Sequence, residues 1–247
     1  MASLVAPVMG TTVSIDVRDP GVADVEVAAA LALLERLEAR FSTFREDSEV
    51  SRIDRRELQL ADADPSVREV LDACKVLHAE SGGAFDAWRD GHLDPSGYVK
   101  GWAGDRAAER LRAAGATAFA LNIGGDVVCA GEPEHGRPWR IGIRDPEDAA
   151  RLVAVIGIRD GALATSGLYE RGGHVTDPRS GIVPTAWRSV SIVAPDLATA
   201  DALATTALAM GPDGPAWAAS RYACHVAAVD AQHRLWMSPG MSTLRLA

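Results

Sequence analysis

The segment at 11–17, "TTVSIDV", alternates in polarity and is β-branched, which predicts a strand. Over 22–44, "VADVEVAAALALLERLEARFSTF" places apolar residues at helical spacing among strong helix formers. A second helix is predicted from Pro65, at its first position, to a glycine stop at Gly82 and Gly83. A third, "WAGDRAAERLRAAGA", ends at Gly115. Between about 117 and 193 the pattern changes to short strands and turns: "AFALNIGGDVVCAG", "WRIGIRDP", "LVAVIGIRDGALATSG" and "SVSIVAP". An apolar helix at 198–211, a shorter one in "DGPAWAASRYA" and a closing hairpin in "CHVAAVDAQHRLWMS" complete the chain.

Helices and neighbouring antiparallel strands mix without βαβ regularity, so the expected class is α+β and not a doubly wound sheet. No GxGxxG follows a strand and no GxxxxGK[ST] occurs, which leaves dinucleotide-fold and P-loop readings without support. The 247 residues suffice for a full core, as one domain or two closely joined halves. No repeat, low-complexity stretch or linker divides them.

Charge changes the picture more than composition does. A net charge of −9 argues against a nucleic-acid binder, and a polyanionic ligand would have to be held by local donors or a metal. Cys74, Cys129 and Cys224 are scattered, which suggests neither a zinc site nor a disulfide framework and fits a reducing, cytoplasmic setting. The start, "MASLVAPVMG", lacks a basic region and a long apolar run, so no signal peptide is expected; no lipobox or membrane-spanning run is seen. The six histidines show no HExxH or HxH spacing, and no GxSxG elbow is present.

The helix "ATADALATTALAMG" carries Asp201 and Thr205 four residues apart, hence on one face. A carboxylate and a hydroxyl so placed suit a hard cation such as Mg²⁺. The commoner alternative is a first-turn acid opposing the helix dipole and a threonine bonded back to the carbonyl of residue 201. Lys100 and Gly101, read as lying just before a helix start, form a candidate phosphate site or merely a solvated junction. Gly124-Gly125 reads as a tight hairpin turn. In "ALATSGLYERGGHVTDPRSG", Thr165, Ser166 and Gly167 end a strand, and His174 is available as a general base with Asp177 as its orienter, or is a surface histidine.

The order of the pieces decides between these alternatives. "VMGTTVSIDV", "FSTFREDSEVSRID", "GGAFDAW", "LDPSGYVKGWAGDRA", "LNIGGDV", "GRPWRIGIRDP", "ALATSGLYE", "HVTDPRSG" and "SVSIVAPDLATADALATTALAMG" occur in that order. Together they resemble the FAD:protein FMN transferase family, the ApbE family, over nearly the whole chain. The resemblance implies one domain over 1–247 made of two intimately joined halves. Its implied fold is related to the tunnelling fold, with helices packed on antiparallel sheets. It further implies a Mg²⁺-dependent enzyme that cleaves the FAD pyrophosphate, passes FMN to a Ser or Thr of an acceptor flavoprotein and releases AMP. Asp201 and Thr205 are the implied metal ligands, joined by the Gly97 carbonyl. Met9, Phe44, Ala84, Phe85, Asp86, Asp94, Lys100 and Val175 would line the FAD site, with Thr165, Ser166, Gly125 and Asp126 beside them. His174, Asp177 and Lys100 are the expected catalytic residues.

The sequence departs from the family pattern in three places, one of them Phe44, where the family usually has Tyr. Only "AWRDGH" separates Asp86 from Leu93, and only "LYERGG" separates the "ATSG" segment from His174. These short segments motivate two further readings: a Mg²⁺-dependent FAD pyrophosphatase yielding FMN and AMP, and a non-catalytic FAD-binding protein. Neither a nucleic-acid partner nor membrane insertion is expected.

Overall fold

A computed structural model describes residues 2–168, 175–221 and 224–247. In chain order its elements are β1 (Ala2–Val8), β2 (Thr11–Val17), α1 (Asp24–Phe41), α2 (Glu49–Asp54), α3 (Pro65–Glu80), β3 (Trp88–Arg89), β4 (His92–Leu93) and α4 (Ser96–Ala113). There follow β5 (Phe119–Ile123), β6 (Asp126–Ala130), β7 (Trp139–Arg144), β8 (Leu152–Ile158), β9 (Gly161–Gly167), β10 (Trp187–Ala194) and α5 (Leu197–Met210). The chain closes with α6 (Gly214–Arg221), β11 (His225–Asp230), β12 (Leu235–Met237) and α7 (Pro239–Leu244).

One antiparallel sheet runs β1-β2-β5-β6-β9-β10-β11-β12, and β3–β4 and β7–β8 are separate hairpins. Its central strands are buried on both faces, with alternate residues entering different cores. Val128, Ala130, Ala162, Ala164 and Ile192 join the core beneath α1, α4 and α5. Their neighbours Val127, Cys129, Leu163 and Val193 join a second core with Trp139, Ile156 and Met241 from the β7–β8 hairpin and α7. The class is α+β, as the mixed pattern implied.

The structure refines or revises the sequence reading at four points. β1 escaped the sequence reading. It is an edge strand paired in register with β2 from Ala2↔Val17 to Val8↔Thr11, and an edge tolerates its Pro7. The segment 152–167 is two strands in two different sheets, parted at Arg159 and Asp160. Helix α4 starts at Ser96 and not near Trp102, with the Tyr98 and Val99 amides donating to the Pro95 carbonyl, so Lys100 and Gly101 lie inside the helix. Asp201 is not in the first turn of α5; that helix begins at Leu197 and is capped by Asp196, which accepts from the Thr199 amide at 2.7 Å.

A second carboxylate fixes α5 to α4. Asp105 of α4 accepts from the Leu197 and Ala198 amides at 2.9 and 2.7 Å, which satisfies donors that a helix start leaves orphaned. Burial pushes the Asp105 carboxyl up to about 6, against the pull of those two amides. The folded chain therefore holds this proton at a pH where the unfolded chain, with a carboxyl near about 3.9, has lost it. Stability from this group is fullest at low pH and falls as pH rises through about 6. Asp105→Asn removes that dependence, so its Tm relative to the parent should improve between about pH 5 and about pH 8. Melts at both values test this; a constant difference would refute it.

Candidate active site

The site forms where α4, the start of β6, the end of β9 and the middle of α5 meet. Lys100 on α4 places its Nζ 2.6 Å from Asp126 Oδ2 and 3.4 Å from Asp201 Oδ1. Both carboxylates are almost wholly buried. Asp126 Oδ1 accepts from the Thr165 amide at 2.9 Å, and its Oδ2 has no other donor than Lys100 among the described residues. Asp201 Oδ2 accepts from the Gly101 amide at 3.0 Å. That amide is thus committed to a buried carboxylate and is not an open helix-start donor for phosphate.

Among the described residues two carboxylates share one ammonium, which leaves the cluster with surplus negative charge in a place water reaches poorly. Burial, with Asp126 adding to it, pushes the Asp201 carboxyl up to about 7 in spite of Lys100. The close approach that brings the groups together rests on glycine. A Cβ on Gly101 would fall 2.4 Å from the Leu197 carbonyl oxygen, so α4 and α5 cross at that point with backbone against backbone.

Thr205, one turn beyond Asp201, does not bond back along its helix in the way a structural threonine would. Its Oγ1 lies 2.9 Å from Ser166 Oγ. Gly97 lies against it: a Cβ there would stand 3.6 Å from Thr205 Cγ2 and 3.3 Å from the Phe85 ring. Gly97 thus packs against the methyl of Thr205, and Asp201 stands one turn before Thr205 on α5. A carboxylate and a hydroxyl one turn apart on one helix face are oxygen donors of the kind that suits a hard divalent cation. No group of three or more His, Cys, Asp or Glu converges among the described residues. Mg²⁺ needs none, since it is usually held by one or two carboxylates together with water and substrate phosphates.

The expected flavin residues differ in burial and in local hydrogen bonding. Ala84 and Phe85 are buried, and the Phe85 amide donates to Ser81 Oγ at 3.0 Å. Asp86 Oδ1 accepts from the Trp88 amide and Asp94 Oδ1 from the Ser96 amide, so each caps its own short turn. Met9 has a left-handed φ of 57° at the β1–β2 turn, which sits beside the Gly124-Gly125 turn through the Gly124 amide and the Thr12 carbonyl. An open cleft of about 560 Å³ lies there, lined by Pro7, Val8, Gly10, Thr11, Thr12 and Glu38. Phe44 is 93% exposed, apart from the buried cluster. Thr165 and Ser166 point to opposite faces of β9, and Thr165 Oγ1 meets Ser191 Oγ at 2.8 Å.

Val175 is buried, and Asp177 holds Arg179 through both oxygens, at 2.8 and 2.9 Å. That pairing keeps the Asp177 carboxyl below its ordinary range. The Asp177 carboxylate is thus engaged by Arg179, and His174, its expected partner, lies outside the described residues. The sequence reading passed over Arg89, whose Nη1 donates to Thr176 Oγ1 at 3.3 Å and ties the 175–182 segment to the β3–β4 hairpin. It also passed over the structural use of Gly101. The spacing of Gly97, Gly101 and Gly104 along one helix is the signal that could have exposed it.

The ApbE family model matches residues 9–89 and 87–229. The chain belongs to the ApbE family. It is 32% identical over 133 residues to the FAD:protein FMN transferase of Haemophilus influenzae, a match that covers 49% of this chain and 38% of that protein. To the FAD:protein FMN transferase of Vibrio cholerae it is 28% identical over 273 residues, covering 85% of this chain and 81% of that one. The solved structure of the flavin transferase ApbE from Vibrio cholerae superposes with a TM-score of 0.85 at 25% identity, over 98% of both chains. The ApbE match takes in every element of the cluster, from Gly97 on α4 to Thr205 on α5.

The surplus charge makes a stability prediction. Lys100→Met leaves two buried carboxylates without their counter-ion, a change that costs about 3–5 kcal/mol in fully buried pairs. Because the Lys100 side chain is 32% exposed, the low end applies. Adding Asp201→Asn to the same chain should recover part of the loss. Denaturant melts of the two single variants and the double variant test the coupling; additive effects would show that the charges are independent.

Proposed function

We propose that this ApbE-family chain is a Mg²⁺-dependent FAD:protein FMN transferase. The observation that carries this reading is the buried Lys100–Asp126–Asp201 cluster with Thr205 and Gly97 beside it. It supplies one fixed cation and a set of oxygen donors with unmet negative charge. Such a set suits a pyrophosphate only when a metal completes it.

Bound Mg²⁺, held by Asp201, Thr205 and the Gly97 carbonyl, would offset the charge of the pyrophosphate and of the departing phosphate. Lys100 contributes the fixed ammonium, and Asp126, itself anchored by the Thr165 amide, keeps that ammonium in place. The acceptor Ser or Thr oxygen forms a bond to the FMN phosphorus while the bond to the bridging oxygen breaks. AMP leaves with that oxygen, and the hydroxyl proton passes to a base, for which His174 is our assignment. An exposed apolar ring at Phe44 is available to stack on the flavin or adenine, but it has no hydroxyl to donate.

A second reading has one observation in its favour. Between Asp86 and Leu93 the chain makes only the minimal β3–β4 hairpin, a short segment that offers an acceptor little surface. Water in place of the acceptor would make the chain a FAD pyrophosphatase. Incubation with FAD, Mg²⁺ and a domain bearing a Ser/Thr flavinylation motif separates the two readings. A metal-dependent FMN-sized mass increment on the acceptor, with AMP released, is expected and would be abolished by EDTA. FMN and AMP without an adduct would replace transfer with hydrolysis.

Among the described residues no helix is long and apolar enough to cross a membrane. We place the enzyme in the cytoplasm on the strength of its three buried free cysteines.

A further inference from the structure

We propose that Ser166 is the positioning residue for Thr205: Ser166 Oγ accepts a hydrogen bond from the Thr205 hydroxyl and leaves the Thr205 lone pairs turned toward the cation. This inference rests on the Mg²⁺ reading of the site and adds to it a residue that touches neither metal nor phosphate.

A hydroxyl has one hydrogen to donate and two lone pairs. A cation draws a lone pair and repels the proton, so a threonine ligand needs an acceptor on its far side. The ordinary acceptor for a helical threonine is the carbonyl four residues back. Thr206 follows that rule and donates to the Ala202 carbonyl at 2.6 Å. Thr205, the very next residue, reaches out of the helix to Ser166 Oγ at 2.9 Å.

Ser166 is well built for the task. It is buried, and it sits on β9 opposite Val190 in an unbroken register with β10, so its oxygen comes from a rigid strand and not from a loop. A hydroxyl facing a helix of Ala and Leu would cost about 1–3 kcal/mol if left unpaired. The adjacent hydroxyl, Thr165, points to the other face and is matched by Ser191, so it supplies an internal control. The pattern is the one seen around metal sites generally, where a partner behind the ligand fixes its orientation.

Mn²⁺ binding, followed by the electron paramagnetic resonance of the free ion with and without FAD, tests this on the full chain. Ser166→Ala should weaken Mn²⁺ by about tenfold with little change in the metal-free Tm. Ser166→Thr, which keeps the hydroxyl, should restore binding, and Ser191→Ala should not alter it. Parental affinity in Ser166→Ala, with loss in Thr205→Val, would overturn the role of Ser166 and leave the metal site standing. Equal weakening by Ser166→Ala and Ser191→Ala would reduce the effect to packing and also overturn it. Absence of Mn²⁺ binding by the parent would overturn both the metal site and this inference.

Discussion

Asp201→Asn is expected to lower FAD turnover by at least about 100-fold, the scale of losing a group that faces developing charge, while Tm stays level or rises. The two effects have one cause. Asp201 is buried next to a second carboxylate, so folding strains against its charge, which is why its carboxyl sits as high as about 7. Asparagine has nearly the same shape, keeps an oxygen for the Gly101 amide, and leaves Lys100 to pair with Asp126 alone at 2.6 Å. The charge that strains the fold is the charge a cation needs. The contrast is sharpest above about pH 7, where the parent must keep Asp201 ionised in the folded state and the variant need not. Turnover within about threefold of the parent would remove Asp201 from the site.

Gly101→Ala is expected to damage both stability and activity. The added Cβ would meet the Leu197 carbonyl oxygen at 2.4 Å and the Ala198 Cα at 2.9 Å, both backbone atoms of a capped helix that cannot step aside. Overpacking of this kind costs at least about 1–3 kcal/mol. For a chain of this size that is a drop in Tm of several degrees. Activity should fall further than stability alone requires, because parting α4 from α5 draws Lys100 away from Asp201. Gly104→Ala makes the comparison. Its Cβ would also be close, at 2.6 Å, but to Leu197 Cδ2, the end of a side chain that can turn. Thermal melts of both variants should show the larger loss at Gly101. Equal losses would mean that the helix crossing yields more readily than its backbone contacts imply.

Much of this architecture was legible in the sequence. The alternation at 11–17, the helix from Pro65 with Asp64 capping the Ser66 amide, and the Gly124-Gly125 turn follow from local chemistry, and each stands where that chemistry puts it. Local signals failed where tertiary contact set the answer. β1 carries Pro7 and a weak alternation, and it is a strand because β2 offers it an edge. Gly97 and Gly101 look like helix breakers, yet α4 runs through both, and the missing side chain of Gly101 lets α5 approach. For the same reason Lys100 reads as lying just before a helix start, and a first-turn place for Asp201 stands as the alternative to a metal ligand; only the crossing of two helices brings them within 3.4 Å. The i, i+4 spacing of Asp201 and Thr205 was visible. That Thr205 turns outward to Ser166 was not, because Ser166 lies on a strand distant in the sequence.

The most direct measurement is anomalous diffraction from crystals soaked with Mn²⁺ and FAD. One peak bounded by the Asp201 carboxylate, the Thr205 hydroxyl and the Gly97 carbonyl, with pyrophosphate density against it and Lys100 alongside, is the expected result. A peak elsewhere, or a pyrophosphate seated away from Lys100 and Asp201, would contradict the assignment of this cluster as the centre of FAD cleavage.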